Sequence, residues 1–103
     1  MARETGVDQI LRRWVSDVAD NFRSNQATAT PQAVFDRAVE RVNLATFDFV
    51  YTLLRRTRGV KLNQLEGISL IDGVTTAEEA HRHVLAAAIT VLALDQLQSA
   101  ATP

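Results

Sequence analysis

Val84–Leu94 reads VLAAAITVLAL, in which ten of eleven residues are apolar and only Thr90 is polar. A helix that is apolar on every side has to be buried in a protein core, a membrane or an assembly. Eleven residues fall short of the roughly 20 that span a bilayer. The segment is therefore expected as a core helix, and the rest of the chain is constrained to supply its cover.

Two further helical patterns are available to do so. Val7, Ile10, Leu11, Trp14, Val15, Val18, Ala19 and Phe22 recur at three- and four-residue steps, which gathers them on one face of a helix over 5–22. Thr5 is its expected N-cap, with Asp8 near the positive helix end. Asp8/Arg12 and Arg13/Asp17 at i,i+4 read as a solvated back. Trp14, in the middle of the stripe, reads as a core anchor. The polar run Arg23–Thr30 reads as a loop, and Thr30-Pro31 is a helix start, with a hydroxyl at the cap and a proline where no N–H is needed. From there one helix is expected over 31–58, closed by Gly59 as a left-handed C′ residue with Val60 folded back on Leu54. Its apolar residues, from Phe35 to Leu54, fill an arc of roughly 200°, wider than the roughly 100° one neighbour covers. Arg37, Arg41, Asp48, Thr52 and Arg55 lie opposite and are expected in solvent.

The connection over 60–75 is irregular. Lys61–Glu66 could make one helical turn and Ile68–Ile71 a short extended piece ended by Asp72-Gly73, and its five large aliphatics should pack across the helices. The last helix is expected over 76–99, started by Thr75 or Thr76 with Glu78 or Glu79 three residues on, the capping-box spacing. Alanines at 86–88 and 93 would let neighbouring backbones approach closely.

Composition narrows the function classes. A chain of 103 residues supports one domain, 1–103. Two Pro and four Gly leave little room for a turn-rich β design, and a net charge of −1 removes the global field of a dedicated nucleic-acid or anionic-membrane binder. Without Cys there is no disulfide framework, thiolate nucleophile or cysteine metal cage. MARETGVDQI has no continuous apolar stretch of a secretory signal, so a cytoplasmic protein with no membrane association is expected.

Candidate chemistry is sparse. Glu78-x-x-His81 has the spacing that places a carboxylate and an imidazole on one helix face, as in ferritin-like carboxylate/histidine sites. Both acids at 78 and 79 also fall in a first turn, where they cap and complement the dipole, so no metal and no cofactor is the favoured expectation. Arg55, Arg56, Arg58 and Lys61 form a basic patch able to contact phosphates or an acidic partner, though cations in a last helical turn also suit the helix dipole. Ser69 lacks the second glycine of a nucleophile elbow, and the four glycines are too scattered to cradle a phosphate, so catalysis is disfavoured. A small-molecule pocket among the four Phe and Trp14 is indistinguishable here from a filled core.

Three long helices thus leave too few covers for the second and third. The expected architecture is an all-α antiparallel bundle completed by a second chain. Its interface is expected at Val84, Ala87, Val91, Leu94, Phe47, Val50 and Leu54. The expected function is that of a non-catalytic, homodimeric assembly, adaptor or regulatory interaction module, with a heterologous protein partner as a further possibility. The alternatives are a metal-binding subunit using Glu78 and His81, and a nucleic-acid-associated subunit using Arg55–Lys61.

Overall fold

The computed structural model describes residues 6–25, 29–65 and 73–101. Among them are four α-helices, one 3-10 turn and no strand: α1 (Gly6–Asn25), α2 (Pro31–Asn43), α3 (Phe47–Arg56), the turn at Asn63–Leu65, and α4 (Ala77–Ala101). The all-helical expectation holds. Thr5, Glu66, Ser69 and the expected Ile68–Ile71 and Asp72 features lie outside the described residues.

The single helix expected over 31–58 is two. α2 starts as anticipated, with Thr30 Oγ1 accepting from the Ala33 N–H at 3.2 Å and Pro31 in the first turn. It stops at Asn43, where Leu44 N–H and Ala45 N–H turn back to Arg41 O and Val42 O at 3.3 and 3.1 Å. Thr46 then caps a new helix, accepting from Phe49 N–H at 3.4 Å, with Asp48 in its first turn. The physical reason lies in the two apolar stripes. On one straight helix the buried residues of the first half (Val34, Phe35, Ala38, Val42) and of the second (Val50, Leu53) would point roughly 75° apart. Breaking the chain at 44–46 turns both onto α4, at the expense of leaving Leu44 80% exposed at the corner. The wide apolar arc is therefore two ordinary stripes laid end to end.

The end of α3 also differs from expectation. It closes at Arg56 with Thr57 as C-cap, whose buried hydroxyl donates to Leu54 O at 2.9 Å. Gly59 is not left-handed; Gly73 is, at φ 80°. A hydroxyl side chain has taken the role assigned to glycine, because it satisfies a terminal carbonyl that a left-handed turn would otherwise serve.

α4 sits among the other elements, packing on α2, α1, α3 and the 3-10 turn. Thr76 Oγ1 accepts from Glu79 N–H at 3.1 Å while the Glu79 carboxylate takes Thr75 N–H and Oγ1 at 3.3 and 3.2 Å, a capping box shared over two threonines. Leu85–Val91, Ala93 and Leu94 are buried. Trp14, Val15, Val18, Ala19 and Phe22 of α1 and Leu65 of the turn join the same core. None of the described helices is long and apolar enough to cross a membrane.

Thr90, the one polar residue of the apolar stretch, is completely buried and donates to Ala86 O at 2.7 Å. Ala86 O keeps its main-chain helical partner without it, so the hydroxyl satisfies only itself. Thr90→Val removes donor and acceptor with little change of shape, and urea unfolding should place it within about 1 kcal/mol of the parent. A larger loss would assign the hydroxyl a second partner.

Candidate functional site

Among the described residues, a break that gathers residues from the expected interface and basic patch lies between α3 and the N-terminal half of α4. α3 carries Tyr51, Leu54 and Arg55 along one side. Beyond its end the Thr57–Gly59 turn, tied by Val60 N–H to Thr57 O at 3.0 Å, brings Val60 and Leu62 back under Leu54. Across from them α4 contributes His81, Val84 and Ala88. The result is a groove of about 300 Å3 with an aliphatic floor. Its rim carries exposed Tyr51 and Val84, 46% and 43% accessible, together with Arg55 and Arg58. Among the described residues no acidic side chain lines it.

Of the expected interface set, Val84, Leu54 and Phe47 reach the surface, whereas Ala87, Val91, Leu94 and Val50 are covered within the chain. The reason is the broken second helix, which supplies two covers where one was counted. Of the expected basic patch, Arg56 reaches back to Asp8 of α1 at 3.8 Å. Arg55, Arg58 and Lys61 are exposed and make no ion pair with a described residue. Arg41, expected in water, instead lies over the Trp14 ring at 5.0 Å and 3.5 Å from Asp17. That contact ties α2 to α1 and takes Asp17 across helices.

Glu78 and His81 engage different neighbours. Glu78 accepts from Arg82 at 3.3 Å, and Glu79 is held in the capping box. His81 turns toward α3, with ring centroids 5.8 Å from Phe47 and 6.1 Å from Tyr51. Its Nδ1 is buried with no hydrogen-bond partner among the described residues. No group of three or more His, Asp or Glu side chains suited to a metal ion is gathered among them. The aromatic residues do not enclose a small-molecule site either: Trp14, Phe22 and Phe35 are core, and Trp14 packs on Phe49 at 5.6 Å.

A larger, open depression of about 690 Å3 lies between α1 and the C-terminal half of α4. Its charges are of both signs, and Asp8 and Arg23 are already engaged with Arg56 and Asp20, so it presents no consistent electrostatic demand. The α3–α4 groove does.

Two features carry this geometry without having been read from the sequence. One is Arg82, whose guanidinium leaves α4 to donate to Val42 O and Ala45 O, both at 2.9 Å. It thereby caps the C-terminal end of α2 and holds the corner from which α3 starts. The other is the corner itself, for which Thr46-Phe47-Asp48, a hydroxyl followed by a first-turn acid, was the local signal. Protein-family models, curated proteins and solved structures were compared with this chain, and none matches.

Proposed function

We propose that the chain is a small helical bundle acting as a non-catalytic interaction module, an adaptor or regulatory subunit that docks another protein at the α3–α4 groove. One observation carries this reading: in a chain that covers its own core, exposed apolar side chains (Val84, Tyr51) and arginines paired with no described residue (Arg55, Arg58) share one concave surface. Apolar floors with polar rims are how interfaces are built. The shortage of cover that argued for an obligate homodimer is met within the chain, which supports a protein that folds alone and meets its partner afterwards.

Affinity capture of the full-length chain followed by native mass spectrometry tests this. The wild type should retain a stoichiometric protein partner that Val84→Asp and Tyr51→Asp each lose by at least about tenfold in affinity. Both residues are exposed, so far-UV circular dichroism should be unchanged. A partner kept by both variants would move the docking surface elsewhere, and a second copy recovered in its place would restore the homodimer.

A further inference from the structure

We infer that the partner presents an acidic amphipathic helix, which seats an apolar side chain between Leu54 and Val84 and sets carboxylates against Arg55 and Arg58. This rests on the docking reading above and adds the chemistry of what docks.

The sign of the rim comes first. Two arginines border the groove, no acid among the described residues lines it, and neither arginine is paired with a described residue. The positive surface continues past the groove, where Thr52, Arg55, Arg56 and Arg58 line a second recess of about 430 Å3 at the end of α3. In a chain of net charge −1 this is a local concentration of cations. Guanidinium groups pair carboxylates in two-point geometry, and complementary charge across an interface sets which partner is accepted.

The same sign disfavours a second copy of the chain in this groove. A two-fold interface lays one patch against itself, which would bring both copies' Arg55 and Arg58 into one interface with no acid of the described lining between them, and like charges brought together in an interface are disfavoured. A small anionic ligand would fill the groove but leave empty the second recess, which the same Arg55 and Arg58 also line. A partner longer than the groove reaches both. The lining is mainly aliphatic, with Leu54, Val60, Leu62, Val84 and Ala88, and the rings of its Tyr51 and His81 already pack on each other, which suits a leucine-type anchor better than a stacked base. An amphipathic helix offers anchors at i, i+3 and i+4 on one face and acids flanking them, and helix-in-groove docking uses that spacing.

Isothermal titration calorimetry on the full-length chain tests this with three probes. The first is a helix-favouring peptide with leucines at i, i+3, i+4 and i+7 and glutamates on its other positions; the second replaces each glutamate by lysine; the third is an oligo-dT strand. The glutamate peptide should bind at least about tenfold more tightly than the lysine peptide and weaken as salt is raised. The double variant Arg55→Glu, Arg58→Glu should reverse the preference, a rescue that loss of folding could not produce. Unchanged affinity of that variant for the glutamate peptide overturns the inference, as does oligo-dT binding where the glutamate peptide does not. Equal binding of both peptides, abolished by Val84→Asp, overturns the acidic partner but keeps the groove as a docking surface. No binding of either peptide removes both.

Discussion

Val91→Asp should leave the chain unfolded at room temperature. Val91 is 3% exposed in the core face of α4 and belongs to its apolar cluster, so a carboxylate there would be buried among apolar side chains. Burying an uncompensated charge belongs to the short list of changes that exceed about 4 kcal/mol, against a total stability of about 5–15 kcal/mol for a domain of this kind. Far-UV circular dichroism and urea unfolding read the result directly. Val91→Ala separates charge from volume and should cost only about 1.5–3 kcal/mol. The informative comparison is Val84→Asp, the same substitution two turns earlier, which should leave the helical spectrum intact because Val84 is 43% exposed. If Val91→Asp were as stable as the parent, α4 would have to present a different face to the core.

Arg82→Ala should have the largest effect of any surface-reaching polar residue, about 2 kcal/mol, a fall of roughly 8–15 °C in melting temperature. The Arg82 side chain is only 16% exposed, and two of its hydrogen bonds go to main-chain carbonyls of another helix end. Its exposed partner Glu78 adds little, since surface pairs contribute between nothing and about 1 kcal/mol. Arg82→Lys should recover part of the loss, because an ammonium can donate to Val42 O and Ala45 O as the single Nη1 does, but without the rigid guanidinium plane that holds that nitrogen in place. Thr46→Ala, at the start of α3, should cost about 1 kcal/mol. The two changes act on one corner, so the double variant should lose measurably less or more than their sum. An Arg82→Ala protein indistinguishable from the parent would show that the corner is held by Thr46 and packing alone.

Much of the helical layout was legible because its signals are local. The α1 stripe, the Thr30-Pro31 start and the threonine–glutamate box before α4 each depend on residues within one or two turns of one another, and each is in place apart from Ile10 of the stripe, which is exposed. The break at 44–46 was not, although Thr46 and Asp48 mark it. Nothing between Arg41 and Phe47 is a helix breaker such as Gly or Pro, so the local preference for continuing and for stopping are close. The choice falls to α4, which rewards turning both apolar stripes inward and sends Arg82 to satisfy the carbonyls the break exposes. The candidate site was legible only as fragments. Arg55, Arg58, Leu54 and Val84 were each singled out, but for two different reasons, since their meeting spans the chain from α3 to α4.

Val84–Leu94 shows where the division lies. Its composition alone determined that it is a largely buried helix, because water does not tolerate a helix that is apolar on every side. Which residue of it would remain on the surface was beyond the helical wheel. Val84 and Val91 stand seven residues apart and project to nearly the same angle, yet one is 43% exposed and the other 3%. The difference is set by position along α4: Val91 lies within the packed core, while Val84 borders the open groove beside α3. Burial is a property of neighbours, and only the tertiary structure supplies them.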